Sequence, residues 1–438
     1  MKNFISIKNT IAIVFSALIT AFILSGCQPR PQTAEEVIAQ IANIDSLKKI
    51  EADTLFAESW ELWFSMPQDH NNPNGEHFPL RVIYSHNDFN NPMVIAIEGY
   101  KIYTPRATEP TKLLNANQIN IEHRFFENSR PKDSIPWAYL DIFQAATDHH
   151  AIINAFKPFY KSKWVSTGIS KGGQATIFHR SLYPNDVDVS IPYVAPLNFS
   201  SEDERVYQFL ANVSTPQCRE RVRAFQEELF KRKEKLMPML EQLAKDKNYK
   251  FGFGLSRAYD VNVLEYDFGF WQWGGLDCSQ IPNATATDEE LFNHWVNIAS
   301  FTFIEDSGVD AVRPFFYQAM TEIGMYGYEV KPWSRFLSDT TNITFDFTMP
   351  KGHKAIFDPE PMQRVNQWVQ NDGNYMLYIY GEDDPWSATA VVPGEKTNAV
   401  RYIKSNGDHR TRIHSFPEET QKEIYSTLEE WLELEINK

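Results

Sequence analysis

"VSTGISKGGQATIF" occupies residues 165–178. A β-branched run climbs to Gly168, Ser170 stands alone among small residues, and an amphipathic helical pattern follows. The five residues Gly168-Ile169-Ser170-Lys171-Gly172 match G-x-S-x-G, the sharp strand-to-helix turn that lifts a serine Oγ above the sheet of an α/β-hydrolase. Glycines are required because strand and helix approach so closely that a Cβ would clash. At ordinary glycine and serine usage the pattern arises by chance in about one chain in seven of this length. The context is what carries the reading: a strand before, a helix after, and Gly173 extending the glycine pair. A backbone strained at that point holds a hydroxyl where a base can reach it.

Working outward, the pattern on both sides is that of a sheet. "SWELWF", "FPLRVIYS", "PMVIAIEGY", "NQINIEHRFF", "KWVSTG" and "VDVSIPYVA" each have strand length, β-branched or aromatic enrichment and polar punctuation. The later ones alternate with helical stretches such as "YLDIFQAATDHHAIINAF", the mark of a parallel sheet covered on both faces. From about Ser200 to Leu337 long amphipathic runs dominate, beginning with "TPQCRERVRAFQEELFKRKEKLMPMLEQLAKD". Sheet character returns in "YMLYIYG" and "NAVRYIKS", and a helix closes the chain near Pro417–Leu434. The expected fold class is therefore α/β: a hydrolase core in two parts, 51–199 and 338–438, interrupted by a mostly helical cap over 200–337.

In this fold the nucleophile is followed in the chain by an acid and then a histidine. Of eleven histidines, His179, His294, His353, His409 and His414 lie after Ser170. His179 falls on the helix that follows the elbow and His294 in the helical block, and His353 in "PKGHKA" comes before the last strands. His409, in the polar loop "SNGDHRTRI" after the final expected strand, is the candidate base, with His414 as the fallback. The acid is expected after the preceding strand, in "YIYGEDDPWSA". Asp384 is favoured over Asp383 and Glu382 because the following proline restricts its backbone. Two backbone N–H groups complete such a site: that of Lys171, and that of Gly99 or Tyr100 at the end of "IAIEGY".

Termini and charge set the surroundings. Lys2 and Lys8 precede an apolar stretch, Ile11–Ile23, that is short for a membrane span, so residues 1–26 read as an export signal. Leu24-Ser25-Gly26-Cys27 resembles the lipobox of bacterial lipoproteins, which implies a diacylated Cys27 and a protein tethered at the bacterial cell envelope, at the periplasmic face or cell surface. Residues 27–50 are expected to be a tether ending in a short surface helix. The formal charge of −15 argues against nucleic acid as a partner, since binding phosphates needs clustered Lys and Arg. Cys218 and Cys278 remain after the signal, as a disulfide or as two buried thiols; an exported chain permits the first.

With these residues assembled, the chain resembles the S37 family of serine peptidases, the prolyl tri/tetrapeptidyl aminopeptidases, and more distantly the S28 prolyl carboxypeptidase and dipeptidyl-peptidase group. The resemblance is carried by "MPQDHNNPNGEHFPLRV", "EHRFF", "WAYLDIFQAATDHHAI", "STGISKGG", "LEYDFGFWQW", "YQAMTEIGMYGY", "YGEDDPW" and "GDHRTRI", in that order. It implies an α/β-hydrolase with a helical cap, a triad of Ser170, Asp384 and His409, and release of short peptides from a free N-terminus after proline. No cofactor or metal is implied. "KIYTPRATEP" after "EGY", and Ile169 before the serine, depart from the family's pattern.

An aminopeptidase must hold a cationic amine, so it needs a carboxylate in a closed pocket at a set distance from the serine. Glu322 in "AMTEIGMYGY" is the first choice, because aromatic and small residues surround it. Glu265 in "LEYDFGF" is the second, with Asp267 beside it. Tyr266, Phe268, Phe270, Trp271, Trp273, Tyr326 and Tyr328 suit a pocket for a proline ring, or else the core of the cap. Glu122, His123 and Arg124 lack further ligands at metal-binding spacing and read as a salt-bridged structural cluster. The competing readings are an esterase or acyl hydrolase on the same scaffold, and a non-catalytic envelope binding lipoprotein.

Overall fold

The computed structural model describes residues 31–273, 277–337, 339–340 and 343–437. Among the described residues nine strands form one sheet: β1 (Ile44–Ile50), β2 (Glu58–Pro67), β3 (His77–His86), β4 (Met93–Ile97), β5 (Asn117–Ile121), β6 (Trp164–Ile169), β7 (Val189–Tyr193), β8 (Met376–Gly381) and β9 (Ala399–Lys404). Their order is β1-β2-β3-β5-β4-β6-β7-β8-β9. The pairs from β1 through β3 to β5 are antiparallel, and every pair from β5 and β4 onward to β9 is parallel. Nine strands with a mainly parallel half make this the α/β-hydrolase architecture, with each strand read from the sequence in place.

The helices are α1 (Ala34–Ile38), α2 (Glu109–Leu113), α3 (Ile142–Phe156), α4 (Lys171–Leu182), α5 (Arg205–Leu210), α6 (Pro216–Lys231), α7 (Lys233–Lys247), α8 (Leu255–Trp273), α9 (Asp288–Ile298), α10 (Asp306–Gln318), α11 (Glu360–Asn371) and α12 (Glu418–Leu432). Side chains along β8 alternate between two cores, as strand geometry dictates. Met376, Tyr378 and Tyr380 join a cluster with Ile177 and Phe178 of α4 and Met362 and Val365 of α11. Leu377 and Ile379 join the opposite cluster, with Ile424, Leu428 and Leu432 of α12. Both faces are thus covered, and β7 and β8 are buried along their whole length.

Helices α6 to α9 share a third cluster, the interior of the cap, around Phe225, Tyr259, Tyr266 and Trp295. Cys218 of α6 and Cys278 form a disulfide across a sequence separation of 60. The amphipathic run from 215 to 246 is split into two helices, since Arg232 leaves the helical region between α6 and α7.

The reading of residues 27–50 needs correction. The described residues up to Ile41 form a small unit containing α1, capped by Thr33, whose side chain accepts from the Glu36 N–H. Residues 44–50, expected as tether and surface helix, are instead the edge strand β1, paired with β2. Five of its seven residues are exposed, so hydrophobic alternation gives no sign of it. Lys48 and Lys49 lie on this strand, the kind of charge that discourages edge-to-edge pairing with another chain. Residues 1–26 and Cys27 lie outside the described residues.

Candidate active site

Parallel strands bring their C-terminal ends to one edge of the sheet, and that edge collects the candidate groups. Ser170 stands between β6 and α4 with φ 56° and ψ −122°, a conformation that L-residues rarely adopt. Its N–H donates to the Tyr193 carbonyl at the end of β7 (2.9 Å), and its carbonyl accepts from Gln174 N (2.9 Å) in the first turn of α4. The elbow is tight: a Cβ on Gly168 would fall 2.2 Å from the Gly172 carbonyl oxygen. This is the steric requirement the motif implies.

Beyond β8, Asp384 is completely buried and caps the short turn Pro385–Thr389, accepting at Oδ1 from Trp386 N (3.2 Å). Its Oδ2 lies 2.7 Å from His409 Nδ1. His409 follows β9 and is 5% exposed. With Nδ1 committed to the carboxylate, Nε2 is the nitrogen left to act on a hydroxyl. The alternatives are engaged elsewhere: His414 Nδ1 pairs with Glu109 (2.6 Å), His179 with Asp186 (2.9 Å) and His294 with the Tyr266 hydroxyl (2.8 Å). His353 packs on Trp137 and Tyr317.

The loop after β4 lies directly against the elbow. A Cβ on Gly99 would meet Gly172 N at 2.5 Å and Lys171 Cβ at 2.6 Å, so this position must be glycine for the two segments to touch. The Tyr100 carbonyl accepts from His123 N (3.0 Å), which sets the orientation of that loop. The Gly99–Tyr100 segment and the start of α4 therefore lie side by side, as an oxyanion hole requires. The Lys171 side chain turns inward, its Nζ 5.9 Å from the Tyr100 ring and 5.5 Å from that of Phe126, and burial holds the amine well below the usual lysine range.

The cap supplies the wall facing this edge. Glu265, Phe268 and Gln272 lie on one face of α8, at spacings of three and four residues. Glu265 accepts from the hydroxyls of Tyr326 (2.9 Å) and Tyr328 (2.6 Å), and burial pushes its carboxyl up to about 7. Phe268 stacks on Tyr326 with ring centroids 3.7 Å apart, and both meet Trp386 edge-on at 5.2 and 5.3 Å. At the end of the helix the Gln272 carbonyl accepts from His409 N (3.0 Å).

Several expectations shift. Glu322, the first choice for an amine anchor, instead accepts from Ile142 N (2.9 Å) at the start of α3, and burial near Asp141 pushes its carboxyl up to about 8. It lines a cavity of about 580 Å³ with Trp137, Phe143 and Leu182, whereas Glu265 is one aromatic layer from the Asp384 loop. Tyr266 and Trp271 are corrected outright: both are core residues of the cap, Tyr266 against Phe225 and Trp271 bonded to Asp267 Oδ1 (3.0 Å). Tyr326 is also buried, but it packs edge-on against Trp386 in the turn that Asp384 caps. Arg124 makes two bonds to Asp148 (2.7 and 2.8 Å), and Glu122 pairs with Arg81 (3.2 Å), a structural cluster as expected. Trp386 and Glu98 were not singled out. Trp386 follows the expected acid, and the Glu98 carboxyl, next to Gly99, is raised to about 7 by burial. Their adjacency to two recognised loops was the available signal.

Comparison with known proteins places these features. The profile of the PS-10 peptidase S37 family matches residues 33–413. A prolyl tri/tetrapeptidyl aminopeptidase of Streptomyces mobaraensis is 32% identical over 361 residues, covering 80% of this chain and 75% of the relative. Among solved structures, proline iminopeptidase of Mycobacterium smegmatis matches with a TM-score of 0.41 at 12% identity, over 84% of this chain and 98% of its own. VinJ matches with a TM-score of 0.39 at 11% identity, over 89% and 99%.

Proposed function

Because this chain belongs to the PS-10 peptidase S37 family, and is thus a serine-type peptidase on an α/β-hydrolase scaffold, we propose that it releases short peptides from free N-termini, cleaving after proline. The observation that carries the reading is the buried His409–Asp384 pair at 2.7 Å, on the same sheet edge as the strained Ser170. In this mechanism His409 Nε2 takes the Ser170 proton as Oγ attacks the carbonyl, and Asp384 stabilises the imidazolium. The oxyanion is held by the N–H of Lys171 and one from Gly99 or Tyr100. His409 then protonates the departing amine, and water hydrolyses the acyl-enzyme by the same route.

Glu265 is the amine anchor in this reading. From Glu265 to Gln272, which touches the histidine loop, α8 rises about 10 Å. An extended tripeptide spans about the same length. The stacked pair Phe268–Tyr326 and the Trp386 ring edge-on to it form the aromatic wall against which a proline ring would rest. Export and lipidation at Cys27 complete the proposal and place the enzyme at the cell envelope.

Mass-spectrometric mapping of cleavage products from a peptide library with free and acetylated N-termini is the test. Release of tri- or tetrapeptides ending in proline, from free N-termini only, is expected. Glu265→Gln should lower kcat/KM for free peptides by about 100-fold and leave hydrolysis of simple acyl esters unaltered. Ester turnover without peptide turnover would instead assign an esterase. Cys27→Ser should abolish metabolic labelling by palmitate and release the protein from the membrane fraction.

A further inference from the structure

The last turn of α8 does more than close the cap. A helix ends with carbonyls that have no partner within it, and two of these hold the histidine loop. Gln272 O accepts from His409 N (3.0 Å), and Trp273 O accepts from the Arg410 guanidinium. The Trp273 ring meets the His409 imidazole edge-on, with centroids 5.6 Å apart and planes at 83°. Yet the indole is 51% exposed, in contrast to Phe268 and Trp386 at 2% and 8%. A large apolar side chain is thus fixed against the base while half of it stays open to whatever binds beside it.

Direction along the helix determines what that is. Glu265 and Phe268 lie upstream of Gln272 on the same face, so an N-terminal peptide anchored at Glu265 occupies the upstream side of His409. Trp273 is at the opposite, C-terminal end of the helix, one residue beyond Gln272, with its ring against that of His409. The scissile bond is at His409, and the chain beyond it leaves in the direction of Trp273. We infer that Trp273 is the wall of the leaving-group subsite, receiving the side chain of the first residue after the cleaved bond and favouring a bulky apolar one. This rests on the triad and anchor assigned above, so its test must be separable from them.

Aminolysis of the acyl-enzyme provides that separation, since an added amine enters through the leaving-group side alone. The nitrogen lone pair of an amino-acid amide attacks the ester carbonyl, the bond from that carbon to Ser170 Oγ breaks, and His409 carries the proton from nitrogen to Oγ. The ratio of aminolysis to hydrolysis reports binding on that side. Phenylalaninamide and glycinamide are compared, with p-nitrophenyl esters of a free-amine tripeptide ending in proline and of acetate as acyl donors.

Trp273→Ala should lower the ratio for phenylalaninamide about tenfold, leave that for glycinamide unchanged, and Trp273→Phe should restore most of the loss. An equal decline for both amides, or none for either, overturns the assignment, the first meaning that Trp273 only orients His409. Labelling of Ser170 by a fluorophosphonate verifies that each variant is folded and its nucleophile intact. If the peptide ester fails to acylate the enzyme while acetate succeeds, the peptidase reading falls and the acetyl-enzyme still tests Trp273.

Discussion

Ser170 shows how a single residue can be forced by its neighbours. Its positive φ is costly for any side chain, by about 1–3 kcal/mol, and persists because Gly168 and Gly172 let strand and helix close around it. Ser170→Ala should lower kcat by about 10⁶-fold. Asp384→Asn should keep the fold but lower kcat by about 10⁴-fold, because the amide favours the wrong imidazole tautomer. Steady-state kinetics on the two purified variants, with circular dichroism as the folding control, check both. These candidates were legible because each is tied to a local signal: two glycines, a proline after an acid, a polar loop after a strand. Glu265 and Glu322 carry no such signal. Both are acids among aromatics, and what separates them is the partner each meets: two tyrosine hydroxyls in one case, a helix N-terminus in the other.

At the scale of elements, α8 is the member that ties cap to core. It buries Tyr259, Tyr266 and Trp271 in the cap, turns Phe268 to Trp386, and ends on the histidine loop. Its low amphipathicity is the consequence, since partners surround it on more than one side. The periodicity that marks a helix on a sheet is therefore absent from "LEYDFGFWQW", and the division of its aromatics between core and site was beyond sequence reading. The disulfide from α6 to Cys278 closes a long loop within the cap. Replacing both cysteines by serine should cost about 2–4 kcal/mol, chiefly by freeing the unfolded chain. A lower midpoint in urea, matched by reduction of the wild type, is the expected result. Edge strand β1 escaped notice for a different reason: a strand with one neighbour and little buried surface needs no apolar alternation.

For the molecule as a whole, several acids share an environment that disfavours their charge. Glu98 and Glu265 are raised to about 7, and Glu322 to about 8. For Glu322 the folded value lies above the ordinary value of 4.5, so the folded protein holds a proton that the unfolded chain has lost. Stability from this group therefore declines as pH rises from about 4.5 to about 8 and levels off beyond. Glu322→Gln removes that dependence while keeping an acceptor for Ile142 N. Its Tm relative to wild type should rise steadily across that interval in a series of thermal melts, since subtracting the two curves cancels every other titrating group. A constant difference would mean that Glu322 is ionised throughout.

By itself the sequence determined the alternation of strands and helices, the elbow, the loops after β8 and β9 in which the candidate acid and base lie, and the helical character of residues 200–337. All of these depend on backbone geometry and periodicity, which neighbouring residues in the chain impose on one another. Tertiary structure alone decided which aromatics pack against Trp386, which partners Glu265 and Glu322 meet, that residues 44–50 complete the sheet, and that the end of α8 holds the histidine loop. Each of those depends on contacts between segments far apart in sequence, where burial and the identity of the partner set a side chain's role, and no local pattern encodes the partner.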